Sequence, residues 1–481
     1  MDLYSLPLIP VKAELLGDMD TPVSTFLKVM QGPHRFLLES VEGGTQKGRY
    51  SILGDTPLYQ VRIKNNHVMM IDDLGNVKQF KDEDPFNTLA DFYQTFIRPT
   101  LNHTPFINGG LFGYLGYDSV RYIENLPDQS KDEPPLQDVY LFVPKRIIVF
   151  DNLLNKMSLI VFVRPNQQPE TEYQTALTEL QTMRKHVSAP STAEFHAESF
   201  SEKLSTTSNT TQSEFEQMVE KAKEHIKRGD IFQVVLSQRI EVNSQAKPFD
   251  IYRGLRVINP SPYMFYMELQ DICLLGSSPE TLVKLSQGQV HVKPIAGTRK
   301  RGSTEQHDEE LIADLLNDPK EKAEHTMLVD LGRNDVGRIS KYGSVHVSEL
   351  MNIEKYSHVI HIVSSVEGEL KHNMNAIDVF KACFPAGTVS GAPKVRAMQI
   401  IDHLEKHRRG VYAGAVGYFS FNGDMDVCIA IRTIYVKNNT IYLQAGAGIV
   451  ADSIPEREYQ ETCNKAMGLL KAVEYAQGGL V

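Results

Sequence analysis

The sequence predicts an α+β fold layered from large antiparallel sheets, and three observations carry that expectation. Apolar β-rich runs follow one another with no helix between them: YAGAVGYFSF from Tyr412, DVCIAIRTIYV from Asp426 and TIYLQAGAGIV from Thr440. Strands joined this directly pair antiparallel, because a parallel pair needs a crossover, usually a helix. Helical spacing, in contrast, is confined to stretches of its own. Finally, GGLFGYLGYD from Gly109 resembles AGAVGYFSFNG from Ala413. That faint repeat has two explanations, two halves of related architecture or two glycine-relaxed strands reached separately.

In chain order, RIIVFD from Arg146 and MSLIVFV from Met157 flank Asn152-LLN and predict a hairpin. Residues 187–212 are dominated by Ser, Thr, Ala, Pro and Asn, and predict a surface linker. They divide the chain into an N-terminal region, 1–186, and a region of 213–481. At Ser213, SEFE has capping-box spacing, and Phe215, Met218, Val219, Ala222 and Ile226 recur at helical intervals until Gly229 stops the helix. IFQVVLSQRIEV from Ile231 follows as a strand, then ICLLGSS from Ile272, QVHVKPIAG from Gln289 and HVIHIVSSV from His358.

The 481 residues carry a formal charge of −10, and no basic block is interleaved with aromatics, which excludes the phosphate-neutralising surface of a nucleic-acid binder. No apolar run is long enough to span a bilayer, and the N-terminus lacks a signal-peptide pattern. A cytoplasmic protein is expected. Cys273, Cys383, Cys428 and Cys463 stand singly, without metal-binding or disulfide spacing, and read as small buried hydrophobes.

Two predicted helices carry carboxylates three residues apart: Glu321 and Glu324 after Asp318-Pro319, and Glu458 and Glu461 after Pro455. That spacing puts each pair on one helix face. Glu321 and Glu456 have capping-box distance from Asp318 and Ser453, and first-turn acids also suit the helix dipole. Glu324 and Glu461 lie deeper, where facing carboxylates suit Mg2+, a hard ion that takes oxygen ligands and keeps several waters. Glycine clusters in PIAGTRKRG from Pro294, PAGTVSGAPK from Pro385 and AGAGIV from Ala445 let backbone N–H groups approach an anion. With Arg432 and Lys465 they could neutralise a small polycarboxylate.

Taken together, these strings resemble the chorismate-utilising enzymes, and within them the component I proteins of anthranilate synthase. The resemblance runs from about Leu37 to Ala472, and rests on Leu38-Glu-Ser40, NPSPYMF from Asn259, PIAGTR from Pro294, AEHTMLVDLGRND from Ala323, HVIHIVSSVEGEL from His358, PAGTVSGAPK from Pro385 and QAGAGIVADSIPEREYQET from Gln444. It implies two large antiparallel β-sheets packed face to face with helices outside. It also implies a reaction in which chorismate and ammonia give anthranilate and pyruvate with Mg2+.

The matching positions imply roles. Glu324 and Glu461 would be the metal ligands, with Glu321 and Glu458 as their outer partners. Gly297, Thr298, Tyr412, Arg432, Gly446, Ala447, Gly448 and Lys465 would contact substrate. Glu280 would protonate the leaving hydroxyl, His361 would serve the loss of pyruvate, and Thr388 would position the substrate. Their ordinary readings are a turn carboxylate for Glu280 and a core-bonded strand histidine for His361. Glu39, Ser40, Pro262, Tyr263 and Met264 match the tryptophan-binding positions of feedback-inhibited relatives. Gln233 replaces the water-activating lysine of isochorismate-forming members, and Ala296 replaces the nucleophilic lysine of aminodeoxychorismate synthase. Nothing in the chain resembles a glutaminase nucleophile, so ammonia would come from a separate glutamine amidotransferase subunit, in a hetero-oligomer. Aminodeoxychorismate synthesis and a non-catalytic tryptophan-binding regulator stand as alternatives.

Overall fold

The computed structural model describes residues 8–41, 47–97, 109–164, 168–190, 204–356 and 359–480. Every strand ladder among them is antiparallel. Two long strands, Lys47–Lys64 and Val139–Asp151, pair along most of their length with a register shift between Pro57 and Tyr59, and each belongs to two sheets. On one side of that shift the ladder runs through His34–Val41, Tyr263–Leu269, Ile272–Ser278, Thr433–Lys437 and Thr440–Ile449 to Gln233–Asn243. On the other side it runs through Gly110–Leu115, Ala415–Ser420, Met425–Ile429, Thr281–Ser286 and Gln289–Val292 to Val359–Glu369.

The period-2 alternation of strands decides which core each side chain joins. In the first sheet Phe36, Phe265 and Leu274 lie in the core between the sheets, while their neighbours Leu37, Tyr266 and Leu275 lie in a second core on the outer face. Phe36 stacks on Phe112 of the opposing sheet at 4.4 Å between ring centroids, so the two sheets meet face to face. The outer core is closed by the helices Pro22–Val29, Pro169–Ser188, Pro248–Ile258 and Pro455–Gln477, which contribute Phe26, Leu180, Tyr252 and Leu469. The expected α+β arrangement of two antiparallel sheets with helices outside is what forms.

Local differences have physical reasons. The helix expected to be capped by Ser213 is capped by Thr211, whose hydroxyl accepts from Glu214 N–H while the Glu214 carboxylate returns to Thr211 N–H. Ser453 caps nothing: the last long helix begins at Pro455 behind Ile454, and Pro at its first position has no N–H to satisfy. The run from Asp426 is two strands, Met425–Ile429 and Thr433–Lys437, broken where Arg432 takes φ +50°. The hairpin across Asn152–Asn155 forms.

Of the linker, residues 191–203 lie outside the described residues, as does His358. Val187 and Ser188 end a helix, and Ser205–Ser208 pairs with Gln233–Asn243.

The two similar glycine-rich segments prove to be strands that pair with each other, Gly113 opposite Gly417. Both glycines take mirror-region dihedrals, φ +152° and +155°, and a Cβ would fall 2.0 Å from the Tyr140 carbonyl oxygen at one and 2.2 Å from that of Asp426 at the other. The shared sequence therefore encodes one steric need met twice. No helix among the described residues is long and apolar enough to cross a membrane, and all four cysteines are free.

Candidate active site

The helix Pro319–Ile339 opens with Asp318 accepting from the N–H groups of Lys320 and Glu321, so its first turn is fixed against the strand Ile295–Lys300. Glu321 does not complete a capping box; its carboxylate goes to Arg299 at 3.0 Å, which also holds Asp314 and Asp318. One turn on, the carboxylate of Glu324 accepts from Gln233 Nε2 at 2.9 Å. Burial raises the Glu324 pKa, with Glu321 and Glu461 pushing the same way. From the facing helix Pro455–Gln477, Glu458 is likewise raised, by burial and by Glu461, while Glu461 pairs with Lys465 at 2.7 Å.

Acids from the two helices thus feel one another. Among the described residues no three His, Cys, Asp or Glu side chains close into a metal cage. Glu324 and Glu461 are like-charged carboxylates on facing helices, the second half exposed, and are the oxygen donors that a divalent ion completing its shell with water would need.

Glu280 sits in the corner between the strands Ile272–Ser278 and Thr281–Ser286, where Ile429 N–H donates to its carbonyl at 3.0 Å. Burial pushes its carboxyl up to about 8, against the Thr388 hydroxyl and the Lys465 ammonium, which pull it down. Thr388 lies within electrostatic reach of that acid without closing a hydrogen bond of normal geometry, and its Oγ1 is buried. Lys465 bridges the groups: besides Glu461 it donates to the Gly446 carbonyl at 2.9 Å.

His361 stands on the strand Val359–Glu369 with Nδ1 3.1 Å from the Gly297 carbonyl and 3.0 Å from Thr298 Oγ1. A carbonyl only accepts, so Nδ1 carries the proton and Nε2 keeps its lone pair. Burial lowers the His361 pKa, and Arg432 adds to that. Arg432 is itself depressed by burial, with Tyr412 and Glu461 opposing. Its guanidinium makes no ion pair among the described residues, and its backbone stands at φ +50° where the strand breaks.

Glycines let the backbone approach these groups closely. A Cβ on Gly446 would lie 2.6 Å from the Tyr412 hydroxyl, and one on Gly448 would lie 2.6 Å from Gln233 Nε2. Gly297, at φ +71°, lies against Glu321. Ala447, between Gly446 and Gly448, is buried in a hydrophobic cluster.

The predicted effector residues line a separate cavity of about 1090 Å3 between the sheets, together with Tyr50, Lys284, Tyr418 and Asp426. Alternation sorts them. Tyr263 lies toward the inner core, its phenol donating to Asp426 at 2.8 Å and sharing a hydrogen bond with Thr281 at 2.9 Å. Met264 and Glu39 turn outward, Glu39 accepting from Tyr252 at 2.6 Å and pairing with Arg256 at 2.9 Å. Ser40 and Pro262 line the cavity.

Sequence reading missed Arg299 as the partner of Glu321, Asp426 as the partner of Tyr263, and Gln233 as the donor to Glu324. For Arg299 a signal existed, since a cation three residues beyond Ala296 on a strand facing an acidic helix start has an obvious partner. The others depend on strands brought together over more than 90 residues, which local pattern does not encode.

The family model described as chorismate binding enzyme matches residues 34–471. The chain is 47% identical to anthranilate synthase component 1 of Acetivibrio thermocellus, over 98% of this chain and 96% of that protein. It is also 47% identical to the protein of the same name from Aquifex aeolicus, over 98% and 95%. The crystal structure of anthranilate synthase component I from Streptococcus pneumoniae TIGR4 superposes with a TM-score of 0.79 at 39% identity, covering 95% of this chain and 98% of that one. The chain therefore belongs to the family of chorismate binding enzymes.

Proposed function

We propose that this chain is the anthranilate-forming subunit of a cytoplasmic synthase: it converts chorismate and ammonia to anthranilate and pyruvate. The observation that carries the reading is Glu280, a buried carboxyl held as the acid at neutral pH beside Lys465 and Thr388, in a cleft whose other groups match the relatives' chemistry. Mg2+ bound by Glu324 and Glu461, with Glu321 and Glu458 behind them, would grip the ring carboxylate and draw electron density from the ring. Arg432 and Lys465 offset the substrate's negative charge. Glu280 delivers its proton to the departing C4 hydroxyl as ammonia adds at C2. Thr388, Tyr412, Gly297, Thr298 and the backbone of Gly446, Ala447 and Gly448 orient the ring. His361, with Nε2 unprotonated, accepts the ring proton as pyruvate leaves and the ring becomes aromatic.

Two residues favour anthranilate over the relatives' other products. Ala296 carries a methyl where covalent aminodeoxychorismate chemistry needs an amine, and Gln233 cannot act as a base toward water. Ammonia would be delivered by a glutamine amidotransferase subunit in a hetero-oligomer. Tryptophan in the cavity lined by Ser40, Pro262 and Tyr263, with Glu39 and Met264 bracing its walls from behind, would act as feedback inhibitor. The test mixes the purified chain with chorismate, Mg2+ and an ammonium salt and follows anthranilate fluorescence, with and without tryptophan, while mass analysis identifies the product. An aminated but non-aromatic product would establish aminodeoxychorismate synthesis instead, and no consumption of chorismate would leave only the regulatory reading.

A further inference from the structure

Beneath the cleft lies an ion pair with no place in the chemistry above. Arg409 is 2% exposed and Glu405 is 7% exposed. Arg409 Nε and Nη2 reach the two carboxylate oxygens of Glu405 at 2.9 and 2.7 Å, the bidentate fork that only a guanidinium makes. A buried pair of this kind is poor value for stability, because desolvation offsets most of its attraction. What its remaining bonds reach is more informative.

Arg409 Nη1 donates to the Val389 carbonyl at 2.7 Å, one residue after Thr388. Its Nη2 donates to the Val235 carbonyl at 2.7 Å, on the strand that presents Gln233 to Glu324. The guanidinium lies 5.5 Å from the centre of the Tyr412 ring, and the Tyr412 N–H donates to the Arg409 carbonyl. On the acid side, Glu405 Oε1 accepts from both the N–H and the hydroxyl of Ser237, each at 2.8 Å. Ser237 is the ladder partner of Gly446, and its hydroxyl accepts from Gln444 at 2.8 Å.

We propose that the Arg409–Glu405 pair is the positioning element of the cleft: one rigid fork sets the Thr388 turn, the Gln233 strand, Tyr412 and the Gly446–Gly448 backbone relative to each other. The inference rests on the anthranilate-forming reading, since it assigns three of those segments to substrate and the fourth, through Gln233, to the metal ligand Glu324. Neither residue touches substrate. They act through the groups they hold, and catalysis depends steeply on such alignment, a shift of about 1 Å costing on the order of 100-fold.

The experiment compares Arg409→Lys and Glu405→Gln with Arg146→Lys. Arg146 belongs to another buried pair, with Asp55 at 2.7 Å from its Nε, among the long strands and away from the cleft. Lysine keeps the charge at 409 but cannot span Glu405, Val389 and Val235 together. Ammonium-dependent kcat and chorismate KM are measured per folded molecule, well below each variant's melting temperature. The expected result is a loss of kcat/KM of tenfold or more for Arg409→Lys and Glu405→Gln, carried mainly by kcat. Arg146→Lys lowers the melting temperature comparably yet leaves kcat and KM within twofold. Should Glu405→Gln not fold, Arg409→Lys against Arg146→Lys decides alone. An active wild type with unchanged kcat/KM in Arg409→Lys overturns the positioning role alone, as does an equal loss in Arg146→Lys. A wild-type chain that consumes no chorismate overturns both this inference and the assigned reaction.

Discussion

The Glu280 carboxyl, raised by burial from 4.5 to about 8, sets a pH dependence with a definite sign. A group with that pKa is about 90% protonated at pH 7 and about 10% at pH 9. A rate that needs the acid form therefore falls roughly tenfold across that interval. The assay is initial anthranilate formation at saturating chorismate and Mg2+, with the concentration of free ammonia held constant at each pH so that its own titration does not enter. Glu280→Gln should lose about 100- to 10,000-fold, the usual worth of a positioned general acid, and the residual rate should be flat from pH 7 to 9. Stability gives an independent check. The folded-state pKa lies above the unfolded value, so the folded state binds the extra proton. The contribution is complete below about pH 4.5 and is lost as pH rises through 8. Over that span it amounts to roughly 5 kcal/mol, and Glu280→Gln should remove it, melting higher than wild type in alkali. If Glu280→Gln keeps the wild-type alkaline limb, some other group titrates and the acid role of Glu280 is wrong.

Other residues allow equally direct tests. Glu324→Ala or Glu461→Ala should cut turnover more than 100-fold while circular dichroism stays native, and should weaken Mg2+ binding in calorimetry; an unchanged Mg2+ isotherm would retire the metal assignment. Ser40→Phe, which fills the cavity between the sheets, should raise the tryptophan concentration for half-inhibition at least tenfold with kcat within about twofold. Inhibition that persists unchanged would put the effector elsewhere. His361→Met should let an aminated, still non-aromatic intermediate accumulate in single turnovers, and its absence by mass analysis would count against the second-step role. Gly417→Val forces φ +155° on a branched residue and places Cβ 2.2 Å from the Asp426 carbonyl oxygen. Denaturant unfolding should show a loss of at least about 1–3 kcal/mol from backbone strain alone, and a neutral result would mean the strand pair relaxes freely.

How much of this was legible in the sequence follows from the range of each interaction. Carboxylates three apart declare a shared helix face because the helix is local, and Asp318-Pro319 declares where that helix starts. The succession of strands without helices declares antiparallel sheets for the same reason. Ser453 misled because cap spacing is necessary but not sufficient: Ile454 takes the cap position before Pro455, and Ser453, one residue outside, accepts instead from Val450 N–H. Arg432 interrupts its strand at a positive φ that no residue-type preference announces, since arginine has no affinity for that region; only the surrounding contacts over-determine it. Arg409, in HRRG, carries no local signal of its role, because its four donated hydrogen bonds exist only once the turn at Val389 and the strand at Val235 have met.

The cavity lined by Tyr263 and the corner that holds Glu280 are joined by hydrogen bonds. Tyr263 hydrogen-bonds Thr281, the residue after Glu280, and Asp426, whose strand pairs with the one Thr281 begins. A ligand shifts an equilibrium only by its differential affinity for two states. One that competes for the Tyr263 phenol supplies such a difference directly, because releasing Thr281 frees the corner in which Glu280 is held. Ile429 N–H and the Ser278 hydroxyl, which donates to the Ile429 carbonyl at 2.6 Å, tie that corner from the other side. In the proposed effector site tryptophan would lie against Ser40, Pro262 and Tyr263, with Lys284 and Asp426 on the same lining to take its charged groups.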